Sequence, residues 1–246
     1  MTCERCKGSG RDPVLKCRNP KTNFIMQCRD CNGSGETGFV KLWPDEFIGD
    51  LIYPTHCQEE LTGAYDLPIE FEKPPVILDL GANIGAYLRY CVKTYPGCTI
   101  HCYEPDKKNF EMLEKTAYYC LADNAFLYNY AVLDRLGEMD ICMEDHILTS
   151  CEWSLARGGN AQKCQVIPAS ELPQADIIKV DTEGAEGPIF RDLFNAGKLN
   201  YKAIIFEFHK FEVGMQISGM LDAMGYKKVF QEFSSLNCGV FKFIKE

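Results

Sequence analysis

The feature that most constrains the fold is a strand, turn, helix and strand pattern near the middle of the chain. The apolar run V76-I-L-D-L80 leads into a glycine-rich turn, G81-A-N-I-G85, and a second apolar run ends at Glu104. This order is typical of an α/β domain that binds a ribose-containing ligand at the carboxyl ends of parallel strands. The turn reads G-x-x-x-G rather than the G-x-G-x-x-G of dinucleotide folds, and it lacks a P-loop lysine. The pattern therefore predicts a ligand that carries a ribose but no phosphates to grip.

S-adenosylmethionine fits this pattern, because it has an amino acid at one end and a ribose at the other. Glu104 would accept hydrogen bonds from two ribose hydroxyls, and a carboxylate tolerates the nearby sulfonium charge. Two glycines after a strand are by themselves often simple turn chemistry. The acid that stands 19 residues after Gly85 makes the cofactor interpretation more specific.

Composition bounds the class of protein. A chain of 246 residues, 46% of them hydrophobic, is expected to hold one medium α/β domain and a small module. It has no apolar run long enough for a membrane span and no secretory signal at its start, so no membrane partner is expected. Because no secretory signal is expected, its 14 cysteines are interpreted as reduced thiols and metal ligands rather than disulfides. This usage predicts a cytoplasmic protein.

The front of the chain contains a repeated cysteine motif. The segments C3-E-R-C-K-G-S-G10 and C28-R-D-C-N-G-S-G35 share the pattern C-x-x-C-x-G-S-G. Two such pairs make the tetrahedral four-thiolate site that Zn²⁺ prefers. A module spanning residues 1–38 buries little core, so a metal would supply its stability. The sequence predicts one structural zinc per chain, with these ligands: Cys3, Cys6, Cys28 and Cys31.

This repeat resembles the zinc-binding, cysteine-rich repeat of DnaJ-type chaperones. The resemblance covers residues 3–35 and no J-domain accompanies it, so it implies zinc binding but not chaperone function. Residues 1–41 contain eight Lys or Arg and four Asp or Glu residues, although the whole chain carries a net charge of −9. Two interpretations stay open: a purely structural module, or a basic module that binds a nucleic acid or protein partner.

From residue 76 onward, apolar runs alternate with helical segments. Strands are predicted at 76–80, 99–103, 125–131, 176–181, 203–208, 227–232 and 238–244, and helices at 84–95, 107–120, 185–195 and 214–224. The alternation predicts a doubly wound parallel sheet, and the short polar turn before the last run predicts an antiparallel C-terminal hairpin. The fold class is therefore α/β and Rossmann-like, with strand order 3-2-1-4-5-7-6, a lead-in over residues 39–75 and the small N-terminal zinc module.

Two further motifs place polar side chains at the ends of predicted strands. The run D176-I-I-K-V-D-T-E-G-A-E186 leaves Asp181 and Glu183 at the end of a buried strand. In A203-I-I-F-E-F-H209, Glu207 and His209 are two residues apart and share one face of the strand. Carboxyl ends of strands form the cleft of a doubly wound sheet. The alternatives are acids that favour a helix N-terminus and a structural histidine.

Together these motifs resemble the FkbM family of S-adenosylmethionine-dependent methyltransferases. The resemblance covers roughly residues 60–246 and rests on I77-L-D-L-G-A-N-I-G85, Y103-E-P105, N129-Y-A131, D176-I-I-K-V-D-T-E-G-A-E186 and I205-F-E-F-H209. It implies a class I methyltransferase domain over residues 39–246 and often O-methylation of sugars or other hydroxylated metabolites. Residues 143–164 depart from the family's pattern. The cofactor site that the resemblance implies consists of Asp79, Gly81, Asn83, Gly85, Glu104, Pro105 and Asn129.

The chemistry of methyl transfer indicates what the remaining polar residues could do. Transfer from a sulfonium depends mainly on alignment and desolvation, but a hydroxyl acceptor must also lose a proton. The candidates for the base or for acceptor positioning are Asp181, Glu183 and His209. The Asp-x-Glu pair could instead hold a divalent cation that acidifies the hydroxyl. The sequence leaves both mechanisms open.

The residues at the end of the fourth predicted strand bear on other classes of methyltransferase. Base N-methyltransferases place Asp/Asn-Pro-Pro-Tyr/Phe there, whereas this chain has D181-T-E-G184 and no cysteine for a C5-pyrimidine mechanism. Methylation of exocyclic amines is therefore disfavoured, and ribose O-methylation stays open. The competing class is a binding protein, in which the zinc module docks on nucleic acid or protein and the second domain binds cofactor without turnover.

Overall fold

The computed structural model describes residues 65–142 and 161–245. The predicted zinc ligands lie outside the described residues, as do the boundary at residue 38, most of the predicted lead-in and residues 143–160.

Within the described residues, ten strands and four α-helices follow one another along the chain. The strands are β1 (Val76–Leu80), β2 (Thr99–Tyr103), β3 (Ala125–Tyr128), β4 (Tyr130–Leu133), β5 (Gly137–Cys142), β6 (Ala161–Pro168), β7 (Ile177–Val180), β8 (Ala203–Phe208), β9 (Lys227–Phe233) and β10 (Gly239–Ile244). The helices are α1 (Ala86–Thr94), α2 (Lys107–Tyr119), α3 (Glu186–Asn195) and α4 (Phe211–Ala223). In this part of the chain, no helix combines the length and the apolar character that crossing a membrane requires.

Seven strands form the main sheet in the order β3-β2-β1-β7-β8-β10-β9. The five strands from β3 to β8 run parallel, and β10 pairs antiparallel with both β8 and β9. When the strands of this sheet are counted in chain order, the arrangement is 3-2-1-4-5-7-6, which is the predicted order. The strand order reverses between β1 and β7, and that point is where ligands bind in open α/β sheets.

The central strands are apolar because helices cover both of their faces. On one face Leu78, Ile178 and Ile204 pack with residues of α3 and α4, and all three are fully buried. On the other face Ile77 and Ile177 pack with residues of α1 and α2. Burying each side chain of this size contributes about 1.5–3 kcal/mol. These two cores hold the carboxyl ends of the parallel strands in fixed positions.

Local sequence explains where the two helices beside the cofactor-type motifs begin. The Asp106 side chain accepts a hydrogen bond from the backbone N–H of Asn109 at 2.8 Å, and this cap starts α2 at Lys107. Helix α1 starts after Gly85, whose backbone has φ +95°. Each helix therefore starts at a fixed point just beyond the end of a strand.

One predicted strand is interrupted in the structure. The apolar run 125–131 breaks at Asn129, after which β4 leaves the main sheet and joins a second sheet of order β4-β6-β5. The Asn129 amide donates to the carbonyl oxygens of Glu104 at 2.8 Å and Pro105 at 3.0 Å, and these bonds stabilise the break. The prediction contained neither β5 nor β6, and α4 begins at Phe211 rather than at residue 214.

Candidate functional site

A cleft opens where the strand order of the sheet reverses, at the carboxyl ends of β1, β2 and β7. It encloses about 520 Å³ when its opening to solvent is included. Among the described residues that line it there is no Lys or Arg. The residues used below that line it are Gly81, Asn83, Glu104, Pro105, Asp181 and Glu183.

The turn after β1 depends on Gly81. Its φ is +79°, and a Cβ there would lie 1.7 Å from the carbonyl oxygen of Asp181. The N–H groups of Gly81 and Ala82 both donate to the carbonyl oxygen of Tyr103 at 3.0 Å, so the turn is bound to the end of β2. Asn83 and Glu183 both have positive φ, 49° and 54°, and both line the cleft. Such conformations cost energy and are concentrated at functional sites.

Gly85 has a different role from Gly81. A Cβ on Gly85 would lie 3.0 Å from side-chain atoms of Leu113 and Thr116 on α2. Gly85 is also not among the residues that line the cleft. Gly85 therefore lets α2 approach α1 closely, and this packing positions the turn that borders the cleft.

Glu104 is the acid that the sequence predicts for the ribose, and it lies in the cleft wall with 5% of its surface exposed. Its Oε2 accepts the N–H of Asn83 and its Oε1 accepts the N–H of Asp106, both at 2.8 Å. Burial raises the pKa of Glu104 to about 8, despite these two hydrogen bonds, which act in the opposite direction. Each carboxylate oxygen can accept a further hydrogen bond. Glu104 is thus oriented by the backbone and able to take two donors from a ligand.

Pro105 and Asn129 help to shape this wall, but neither offers a ligand a carboxylate as Glu104 does. Pro105 lines the cleft, and its carbonyl oxygen accepts the amides of Asn129 at 3.0 Å and Gln162 at 3.2 Å. Asn129 is not a lining residue. It holds the chain segment that follows Glu104, so its contribution to a ligand site is indirect.

Asp79, another predicted cofactor residue, is completely buried beneath the turn. Its Oδ1 lies 3.3 Å from the Nζ of Lys179, which also donates to the carbonyl oxygen of Gly81 and lies 3.5 Å from the Oδ2 of Asp181. Burial raises the pKa of Asp79 although Lys179 opposes the shift. The Oδ2 of Asp79 has no hydrogen-bond partner among the described residues.

Lys179 is a buried residue beside the cleft that the sequence prediction did not include. It joins β1 and the cleft by contacting Asp79, Gly81 and Asp181, with only 6% of its surface exposed. The available signal was the presence of a lysine inside the apolar run of β7, because a buried ionisable residue needs a partner.

His209 follows β8 and is held by two carboxylates. Its Nε2 lies 3.0 Å from Glu183 Oε2, and its Nδ1 lies 3.3 Å from Glu186 Oε1. Burial lowers the pKa of His209, but the hydrogen bonds to these two carboxylates outweigh it and raise the pKa to about 11. The ring is therefore an imidazolium at neutral pH. An imidazolium cannot accept a proton, so the geometry suits His209 to positioning rather than to the role of a base.

Glu186 fixes the loop that carries Asp181 and Glu183. Its Oε1 accepts hydrogen bonds from the N–H and the hydroxyl of Thr182, both at 3.2 Å, and from the N–H of Gly184 at 3.0 Å. Burial raises the pKa of Glu186, but the bonds from His209 and Gly184 act against it and leave the pKa below its ordinary value. This buried carboxylate was not among the predicted site residues.

The acidic groups come together in a different combination from the predicted Asp-x-Glu pair. One side-chain ligand atom each from Asp181, Glu207 and His209 lies within 4.8 Å of the other two. Glu183 instead pairs with His209. The cluster thus unites the three predicted catalytic residues, Asp181, Glu183 and His209, with Glu207. A divalent cation held by Asp181, Glu207 and His209 would require the His209 ring to lose a proton and one of its contacts with Glu183 and Glu186.

Comparison with known proteins identifies the fold. No model of a known protein family matches the chain, and no curated protein matches it. The methyltransferase FkbM from Methylobacillus flagellatus KT aligns with a TM-score of 0.51 and 13% identity, over 72% of this chain and 45% of that one. The chain thus spans less than half the length of that structure.

Two further methyltransferase structures are similar at lower scores. Precorrin-6y C5,15-methyltransferase from Geobacter metallireducens GS-15 has a TM-score of 0.47 and 12% identity, over 76% of this chain and 88% of that one. Magnesium protoporphyrin IX methyltransferase from Synechocystis PCC 6803, solved with bound S-adenosylmethionine, has a TM-score of 0.47 and 10% identity, over 86% and 87%. The described residues have the class I fold of S-adenosylmethionine-dependent methyltransferases.

Proposed function

We propose that this chain is an S-adenosylmethionine-dependent methyltransferase that methylates a hydroxyl group on a small acceptor without negative charge. The proposal rests mainly on the position of Glu104. This buried carboxylate is held by two backbone N–H groups in the wall of a cleft, at the point where the strand order of the sheet reverses.

The residues of the cleft fit the cofactor. The two remaining acceptor positions of Glu104 suit the two ribose hydroxyls. The absence of Lys and Arg among the described lining residues matches a ligand without phosphates. When bound, S-adenosylmethionine supplies an electrophilic methyl group on a positively charged sulfur. Carboxylates around the cleft stabilise that charge.

The charge of the acidic cluster supports a non-anionic acceptor. Two cationic side chains, Lys179 and His209, face a larger number of carboxylates among the described residues. These carboxylates are Asp79, Asp181, Glu183, Glu186 and Glu207. Partly buried charges act strongly on one another, so a phosphate entering this cleft would be repelled. A neutral or cationic hydroxyl compound fits better than a nucleic acid or a phosphorylated sugar.

Transfer of a labelled methyl group tests the proposal. The protein is incubated with methyl-tritiated S-adenosylmethionine and, separately, with the nucleic acid, protein and small-molecule fractions of a cell lysate. We expect label in neutral or cationic small molecules, and less of it with Glu104→Ala when the cofactor is below saturation. Label in nucleic acid would contradict the acceptor class. Cofactor binding without transfer to any fraction would instead support the binding-protein alternative.

The pKa of Glu104 predicts a pH-dependent affinity for S-adenosylhomocysteine. Ribose hydroxyl donors favour the ionised carboxylate, so binding lowers the pKa of Glu104 from about 8 and releases a proton below that pH. Affinity should therefore rise between about pH 6 and pH 8, by up to about tenfold per pH unit, and level off above. Calorimetry across this range measures the slope. Glu104→Gln should remove it, and an unchanged slope in that variant would assign the linkage to another group.

A further inference from the structure

We propose that the methyl acceptor carries an apolar group and that Phe211, Met215 and Phe233 bind this group beside the cleft, an inference that rests on the proposed function. These three side chains, called the apolar patch below, are 41%, 42% and 44% exposed. Single exposed apolar side chains are common on proteins, whereas a contiguous group of them with polar neighbours marks a binding surface. The patch therefore adds a second chemical requirement to the hydroxyl compound proposed above.

The patch is formed by the start of α4 and the end of β9. The ring centroids of Phe211 and Phe233 are 6.2 Å apart. Met215 is four residues after Phe211 in α4, so these two side chains share one face of the helix. Two aromatic rings and a flexible thioether together suit an apolar group of variable shape.

A buried ring beneath the patch holds its two elements together. A Cβ on Gly214 of α4 would lie 2.4 Å from the Cγ of Phe208, and a Cβ on Gly239 of β10 would lie 2.8 Å from the Cζ of the same ring. The two glycines therefore let the Phe208 ring fit closely between helix and strand, and its centroid lies 6.0 Å from that of Phe233. Because this packing fixes α4 against the sheet, little order remains to be gained when a ligand binds.

The patch continues from the cleft along the same edge of the sheet. Glu183 lines the cleft, and its Oε2 lies 3.0 Å from the Nε2 of His209. Phe211 is two residues further along the chain from His209. Phe233 is at this edge because it lies in register, across β10, with Phe208, the last residue of β8. One molecule can therefore place a hydroxyl at the cleft and an apolar group on the patch.

The spacing of the strands sets the length of such a molecule. Neighbouring strands of a sheet are about 4.8 Å apart. Helix α4 follows β8, which is one strand from β7, and Phe233 ends β9, which is three strands from β7. The apolar group is therefore separated from the methylated hydroxyl by roughly 5–15 Å.

The area of the patch suits a small molecule rather than a protein partner. With a complete surface of about 200 Å² for each residue, the patch exposes a total of about 250 Å², or about 400 Å² with Leu236 of the next turn. A specific interface between proteins needs about 800 Å² on each partner. The carboxylates beside His209 also disfavour an anionic amphiphile, so the apolar group belongs to a neutral or cationic compound.

Methyl transfer to the small-molecule fraction of a lysate tests the proposal, with methyl-tritiated S-adenosylmethionine as the probe. At alkaline pH, where amines are neutral, the labelled product should pass into ethyl acetate rather than stay in water. Phe211→Ser should raise the apparent KM for the acceptor fraction about tenfold and leave kcat nearly unchanged, because the contact is equally strong before and during transfer. Met215→Ser should act in the same direction.

Phe194→Ser is the matched control for these variants. Phe194 is 48% exposed near the end of α3, which starts at the cleft edge of the sheet and therefore ends at the opposite edge. This variant should keep the wild-type KM. Calorimetry with S-adenosylhomocysteine should show that every variant folds and binds the cofactor product like the wild type.

A binding measurement separates the role of the patch from that of the proposed function. The full chain, with carbon-13-labelled methionine methyl groups and saturating S-adenosylhomocysteine, is titrated with phenylbutanol and, separately, with butanediol. The Met215 signal is assigned by its loss in Met215→Leu. It should shift with phenylbutanol but not with butanediol, which lacks the ring, and Phe211→Ser should weaken the response.

Label confined to water-soluble products, or a Phe211→Ser variant with wild-type KM, would overturn the inference. Dimerisation, or flotation with phosphatidylcholine vesicles, that Phe211→Ser abolishes would also overturn it, because the patch would then bind a second copy or a membrane. A wild-type protein that binds S-adenosylhomocysteine but transfers no label would contradict the proposed function. In that case a Met215 signal that responds to phenylbutanol would still support the patch as a binding surface, and an unresponsive signal would overturn it.

Discussion

Gly81→Ala should destabilise the fold by about 3 kcal/mol or more, since two separate costs add at this position. The backbone has φ +79°, a conformation that alanine adopts with difficulty. The new Cβ would also overlap the carbonyl oxygen of Asp181 at 1.7 Å, so the ends of β1 and β7 would have to separate. Urea unfolding of the purified variant measures the loss.

Gly197→Ala is the matched control for that substitution. Gly197 has φ +67°, and a Cβ there would meet no atom within 4 Å. Only the conformational cost applies, which is about 1–2 kcal/mol. Equal losses in the two variants would mean that the close approach of β1 and β7 does not require glycine at position 81.

Lys179→Met should cost about 3–5 kcal/mol at neutral pH, because it leaves buried acidic groups without their cation. Lys179 is 6% exposed and Asp79 is fully buried, with 3.3 Å between Nζ and Oδ1. The loss should shrink as the pH falls, because Asp79 then takes up a proton and no longer needs the lysine. Asp79→Asn in the same chain should recover part of the stability. Unfolding measured at two pH values gives both results.

Lys202→Met provides the comparison for that pair. Lys202 lies 3.1 Å from Asp176, but 59% of its side chain is exposed. Exposed ion pairs contribute about 0–1 kcal/mol. If Lys179→Met costs no more than Lys202→Met, the buried lysine does not hold the cleft together.

The main sheet was predictable because its signals are local. The runs of β1, β7 and β8 are apolar apart from one charged residue each, and their alternation with helices specifies a parallel sheet. The break between β3 and β4 was not predictable in the same way. Tyr128 and Tyr130 both favour strands, and Asn129 interrupts the run through hydrogen bonds to residues 24 and 25 positions earlier. β5 escaped prediction because its sequence, GEMDIC, is short and contains no continuous apolar run.

The same difference between local signals and long-range contacts applies to the site. Glu104 and Asp181 both lie in the cleft wall, since each follows directly from the end of an apolar strand. The contacts of Lys179 with Asp79 and Gly81 join residues 98 to 100 positions apart, so no local pattern reveals them. The charge of His209 likewise depends on Glu183, in the turn after β7, and on Glu186, the first residue of α3. Local sequence therefore identified where the cleft lies, and tertiary contacts decide what each side chain does there.

Titration calorimetry with S-adenosylhomocysteine, at a pH above the value of about 8 for Glu104, tests the central claim most directly. The wild-type protein should bind one equivalent, and Glu104→Ala should weaken binding by about 1–3 kcal/mol, because the ribose hydroxyls lose their acceptor. Glu111→Ala, at an exposed position of α2, should bind like the wild type. A wild-type protein that does not bind, or a Glu104→Ala variant with unchanged affinity, would contradict the assignment of this cleft to the cofactor.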